Sequence, residues 1–153
     1  MKKYIIFCII LFISILILSI VLYYRKKQQY EEFKRHEPIL HSLKTDIEKL
    51  VPYLTHDEII KLSQLRLQPD IKSYTINKKD MHLCLEDANG KYYEKNMLIY
   101  ATLHELAHIF CDEIGHTIKY HKIFARLLDI AENINIYDSK LILPKKYCGI
   151  DTR

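Results

Sequence analysis

The hydrophobic pattern of the chain opens with one unbroken block. Residues Tyr4 to Tyr24 read YIIFCIILFISILILSIVLYY, 21 positions without a charge, between Lys2-Lys3 on one side and Arg25-Lys26-Lys27 on the other. As a helix rising ~1.5 Å per residue, this block is roughly 31 Å long, the thickness of bilayer hydrocarbon, and it predicts a membrane span. It is too long for the apolar core of a cleaved signal peptide, and no site of small residues follows it, so it reads as a retained anchor. Tyr4, Tyr23 and Tyr24 stand at its ends, where amphipathic rings favour the membrane interface. Residues 1–27 then form an anchor with basic flanks, 28–37 a polar stalk, and 38–153 a single domain.

Beyond the anchor the pattern alternates between two periods. Pro38 fits the first turn of a new helix, and Ile39, Leu43, Ile47 and Leu50 recur on one helical face until Val51-Pro52 ends it. Thr55-His56-Asp57-Glu58 has the form of a capping box and opens a second short helix closing near Pro69. From Ile71 the pattern turns to strand: Ser73-Tyr74-Thr75-Ile76 and Met81-His82-Leu83-Cys84-Leu85 are short runs of strand formers, and Asp87-Ala88-Asn89-Gly90 is a turn before Lys91-Tyr92-Tyr93. Asn96 is a candidate N-cap for a helix from Met97 to about Cys111. Gly115 breaks that helix, and Thr117 caps another with the apolar face Tyr120, Phe124, Leu127, Leu128 and Ala131. The expected architecture is α+β: an N-terminal transmembrane helix, then helices, a small sheet, a central apolar helix and a C-terminal helix.

Charge narrows the partners. The whole chain is +4, but five of its 23 basic residues flank the anchor, leaving 18 basic against 19 acidic residues elsewhere. A near-neutral domain has no electrostatic footprint for nucleic acid, so no nucleic-acid binding is expected. Cys8 lies in the anchor, and Cys84, Cys111 and Cys148 are an odd set without paired spacing. That pattern favours a reducing compartment, with Cys111 and Cys148 as small buried hydrophobes. With no Asn-x-Ser/Thr sequon and only a slight excess of basic residues C-terminal to the anchor, the domain is placed on the cytosolic side of a single-pass protein. His36, His41 and His56, scattered among charges, read as solvated surface histidines.

The candidate chemistry lies in the central apolar helix, at His104-Glu105-Leu106-Ala107-His108. Residues four apart share a helical face, so His104 and His108 can direct their imidazoles at one point. Two neutral imidazoles at about 2.0–2.1 Å suit Zn²⁺, with room for a third side chain and a water. Glu105 lies beside the open position, placed to act as general acid/base on a water that the metal acidifies. Three such polar groups make a poor core otherwise, since each would need a buried partner. The third ligand is open on geometry: His116 at the turn is favoured, with His121 one turn on and Glu132 further along also able to serve.

HELAH, then Gly-His-x-x-x-aromatic, then an amphipathic helix resembles the WLM and SprT-like zinc metallopeptidases, and among them the small WLM-like proteins of large DNA viruses. The resemblance covers roughly residues 70 to 150. It implies a zincin-like domain with His104, His108 and His116 as zinc ligands, Glu105 as the catalytic acid/base and Tyr120 as the aromatic after the third ligand. The spacing between His108 and His116 is longer than in many members, and Tyr120-His121 stands where Phe-Trp is common. The implied activity is peptide-bond hydrolysis on a protein or peptide substrate. The alternative is a membrane-anchored zinc module with a structural or virion-assembly role. Tyr120, His121, Tyr137 and Tyr147 are chemically able to stabilise an oxyanion, and Asp112 or Asp129 to orient a ligating imidazole. Met81 to Glu86 is a candidate edge strand for an extended substrate, with a core strand under the central helix as the competing reading.

Overall fold

The computed structural model describes residues 2–148 and 150–151, and the chain divides after Arg35 into two compact units. Helix α1 is Lys2–Glu48. In the first unit its large apolar side chains, among them Phe7, Phe12, Leu16 and Leu22, are exposed, and among the described residues one helix is long and apolar enough to cross a membrane. The helix does not restart at Pro38, which stands inside α1 at an exposed position. A proline there removes one N–H, and at a water-facing site solvent can take the carbonyl left over.

In the second unit the last turns of α1 bury Leu40, Leu43 and Ile47, with Leu50 buried just beyond the helix; of the face that the sequence spacing marks, Ile39 is only partly buried. A 3-10 turn at Val51–Tyr53 follows, and α2 spans His56–Ser63. Its capping box is complete: Thr55 Oγ1 accepts from the Glu58 N–H, and the Thr55 N–H donates to the Glu58 carboxylate. Glu58 also pairs with Arg126. Helix α2 stops six residues short of Pro69, because Arg66–Pro69 is a strand, β1. Proline at the end of an outer strand leaves no ladder donor missing. With only Leu67 apolar before that proline, the run carries no period-2 signal.

Strands β2 (Tyr74–Ile76) and β3 (Asp80–Leu83) complete a three-stranded sheet in the order β1-β3-β2, with β1 parallel and β2 antiparallel to β3. The strand from Met81 is therefore central, not an edge. Met81 and Leu83 are buried, and the edges belong to β1 and β2. The run Lys91-Tyr92-Tyr93 forms only a single bridge, Glu86 to Tyr92.

Helix α3 (Lys95–Phe110) is buried on nearly every face, through Met97, Leu98, Ile99, Leu103, Leu106 and Ile109 among others. That is the pattern of a core helix rather than a surface one. Asn96 is not its cap. The N-cap is Glu94 without a side-chain bond, while Asn96 exchanges two hydrogen bonds with the backbone of Asp138, at 3.0 and 2.9 Å. Helix α3 ends at Phe110, five residues before Gly115, which takes φ +83° in the following loop. Thr117 then caps α4 (Ile118–Asn133), its Oγ1 accepting from the Tyr120 N–H, and α4 lays Tyr120, Leu127 and Ala131 against α3.

The C-terminal hairpin, β4 (Lys146–Tyr147) and β5 (Ile150–Asp151), is joined to the end of the sheet by a disulfide between Cys84 and Cys148. This corrects the reading of unpaired cysteines: the partners are 64 residues apart, a pairing that only the tertiary fold brings together. Cys111 is free and buried. His36 is also corrected. It is buried, with Nδ1 3.0 Å from the Tyr92 hydroxyl and 4.0 Å from the Glu86 carboxylate.

Candidate metal centre

His104 and His108 are one helical turn apart on the face of α3 that opens into a cleft of about 880 Å³. The loop after α3 folds back and brings His116 to the same mouth. The Nε2 atoms of His104 and His108 each lie 3.2 Å from Nε2 of His116, and one ligand atom from each residue falls within 4.8 Å of the others. For a tetrahedral ion with bonds of about 2.0–2.1 Å, neighbouring donor nitrogens stand ~3.3 Å apart, so the spacing fits.

The surroundings set these nitrogens up as lone-pair donors. Nδ1 of His104 is 2.7 Å from the buried Tyr120 hydroxyl, which also lies 3.4 Å from the His104 carbonyl. With Nδ1–H donating to Tyr120 Oη and the hydroxyl donating to the carbonyl, both Tyr120 contacts are satisfied and the lone pair of Nε2 faces the shared point. The Tyr120 ring also stacks on His108 at a centroid distance of 4.3 Å. Burial, then the neighbouring imidazoles, pushes His104 down to about 4; burial, then His116 and Lys78, does the same to His108. Neutral imidazoles in contact through their lone pairs repel unless a cation or a shared proton lies between them. The donor set therefore fits a metal ion.

Glu105 lines the same cleft. Its side chain is buried, and Thr75 Oγ1 on β2 donates to Glu105 Oε2 at 2.9 Å. Burial raises the carboxyl to about 7, opposed by the Thr75 hydrogen bond. A buried carboxyl poised near neutrality is able both to take and to return a proton.

The other candidates fall elsewhere. His121 is exposed, its ring 6.2 Å from that of His116, and Glu132 is bonded to Ser139, away from the histidine cluster. Asp112 pairs with Lys119, whose hydrogen bond holds its carboxyl below the usual range. Tyr147 does line the cleft, but its hydroxyl donates to the Cys84 carbonyl at 2.6 Å and meets Ser73 Oγ at 2.7 Å, and burial pushes it up to about 12. Tyr100 also lines the cleft, packed edge-on to Phe124. Sequence reasoning passed over Thr75 and Lys78, because no local pattern shows that a strand and a turn meet a helix 30 residues further on.

The fold and site thus define an α+β domain with a three-histidine cluster beside a buried carboxylate, in a chain with, among the described residues, one helix long and apolar enough to cross a membrane. Over 90 residues the chain is 46% identical to uncharacterized protein 136R of Invertebrate iridescent virus 6, a match covering 57% of this chain and 51% of that protein. It is 44% identical over 89 residues to uncharacterized protein 042R of Invertebrate iridescent virus 3, covering 58% of this chain and 56% of the relative. Against uncharacterized protein R325 of Acanthamoeba polyphaga mimivirus it is 37% identical over 119 residues, 71% of this chain and 60% of the relative. The chain is thus similar to proteins of large DNA viruses, and it spans about half to three-fifths of the length of these curated relatives. No protein-family model and no solved structure matches the chain, so the likeness to WLM and SprT-like peptidases rests on the motif residues themselves.

Proposed function

We propose that this chain is a membrane-anchored, zinc-dependent metallopeptidase. The observation that carries the reading is the meeting of three imidazole Nε2 atoms at one point of the cleft that Glu105 also lines. His104, His108 and His116 would hold the ion. When bound, zinc supplies Lewis-acid chemistry, acidifying water and polarising a carbonyl.

The chain's own groups account for the rest. Glu105 takes the proton of the attacking water and returns it to the leaving amine as the peptide bond breaks. Thr75 holds the carboxylate at Oε2 and leaves Oε1 for the proton. Tyr120 fixes the His104 ring and its tautomer. The edge strand β2 runs along the cleft wall through Tyr74 and Thr75, and an extended protein segment can add there as a further strand. The near-neutral domain gives no reason to place nucleic acid in that cleft.

Residues 4–24 supply the membrane anchor in this reading. Of the grounds for a cytosolic placement, the Cys84–Cys148 disulfide removes the unpaired cysteines and leaves the missing sequon and the slight basic excess. We place the domain on the oxidising side, where such bonds persist.

The test uses the full chain purified in detergent. One zinc per chain by mass spectrometry, retained in His121→Ala and lost in His116→Ala, establishes the metal site. Cleavage of a generic protein substrate that disappears in Glu105→Gln while zinc stays bound establishes catalysis. Folded protein without zinc overturns the peptidase reading. Zinc bound with no Glu105-dependent cleavage in any substrate panel leaves the non-catalytic, structural role.

A further inference from the structure

The turn between β2 and β3 carries an anomaly. Asn77 and Lys78 both have positive φ, 52° and 55°, and the Lys79 N–H closes on the Ile76 carbonyl at 3.1 Å. This is a β-turn with left-handed backbone at both central residues, inside a three-residue connection between the paired Ile76 and Asp80; its second central position favours glycine, because a Cβ there crowds the backbone. A long side chain occupies it instead, and strain kept at a position where glycine would relieve it points to use of that side chain.

The side chain has a definite destination. Lys78 Nζ donates to the carbonyl of His108 at 2.5 Å and of Cys111 at 2.9 Å, and lies 3.5 Å from that of Glu113. The first carbonyl belongs to the last turn of α3, where helical partners run out and the helix dipole favours a cation. The other two lie in the loop of residues 111–117, which has no regular structure and carries His116. Past buried Cys111, the large apolar side chain of that loop, Ile114, is 94% exposed. One ammonium, with its three donors, thus bridges the helix bearing His108 to the loop bearing His116.

We propose that Lys78 is the positioning residue of the metal centre: it holds the His116 loop against the end of α3 and so presets the third ligand before the ion arrives. This rests on the metal reading above. Lys78 lines the cleft, but its ammonium is given over to backbone carbonyls. Its effect is exerted through the His108 and His116 backbone.

The test compares the full chain in detergent with Lys78→Gly, Lys78→Asn and Lys78→Arg. Glycine and asparagine both tolerate positive φ, so the turn survives while the ammonium is lost. Zinc affinity is read by competition with a chromophoric chelator, and the ligand field from the visible absorption of the cobalt(II)-loaded protein. The expected result is a zinc affinity about 10-fold or more weaker in Lys78→Gly and Lys78→Asn, as is usual when a group supporting a ligand is removed. Cobalt absorption should weaken as the third histidine becomes loosely held, and Lys78→Arg should recover most of both signals. Unchanged zinc affinity and cobalt spectrum in folded Lys78→Gly and Lys78→Asn overturn the proposal, even if thermal stability falls. If both fail to fold, Lys78 is a general folding determinant and the positioning role is likewise overturned. A parent protein that binds no zinc defeats the underlying metal reading instead, an outcome visible before any variant is made.

Discussion

The histidines of this domain meet their surroundings in two opposite ways. His36 is closed in against the Tyr92 hydroxyl and the Glu86 carboxylate. Its ring meets groups of complementary chemistry from its own chain, while His82 stacks on Tyr74 with its Nδ1 buried 3.2 Å from Asp70 but not hydrogen-bonded. His104, His108 and His116 instead turn their Nε2 atoms on one another. A histidine provided for by oxygen partners is part of the structure, whereas three imidazole nitrogens gathered at one point could hold a metal ion.

The largest expected effect sharpens this contrast at Glu105. Glu105→Gln keeps the shape of the side chain and the zinc, and should lower cleavage by about 10³-fold, near the middle of the range for a lost general acid/base. The rate with a fluorogenic protein substrate checks it. Next, removal of one of the three site histidines should differ in kind from removal of a histidine outside the site. His116→Ala should weaken zinc binding by at least ~10²-fold, since a ligand itself matters no less than its supporting shell. His82→Ala should leave the affinity unchanged. Equal losses in the two variants, measured by chelator competition, would break the comparison.

Smaller still is the expected consequence of cutting the disulfide. Cys84→Ser with Cys148→Ser should cost about 2–5 kcal/mol of folding stability, read as a lower denaturation midpoint. The variant should still bind zinc when folded, because none of the three ligands lies in the C-terminal hairpin. The same bond reports on placement: alkylation of protein taken directly from its native membrane should find Cys84 and Cys148 blocked and no increase in free thiol until reductant is added. Smallest is His82→Ala itself. The His82 contact to Asp70 is partly open to water, so stability should fall by no more than about 1 kcal/mol.

Much of this was legible in the chain. The 21-residue uncharged block, the capping box at Thr55, the cap at Thr117 and the His-Glu-x-x-His spacing are local patterns, and local patterns are what helix geometry reads directly. His116 was one of several possible third ligands on spacing, with His121 and Glu132 equally able in chemistry. Only the course of the loop around Gly115 brings its ring, rather than theirs, to the point shared by His104 and His108. Strand β1 escaped notice because four residues ending in proline carry no alternation. The identity of the edge strands was hidden because strand order in a sheet is not a property of any strand taken alone.

The sequence by itself determined which segment suits a membrane, which helix carries the candidate chemistry and which two histidines share its face, because each depends on residues close together along the chain. Tertiary structure alone decided that Cys84 meets Cys148, that Tyr120 orients His104 and that Thr75 holds Glu105. It alone also decided that Lys78 reaches the end of the metal helix. These contacts join residues between 16 and 64 positions apart. What brings them together is burial of the shared core of α3, α4 and the sheet, a property of how the faces pack and not of any one stretch.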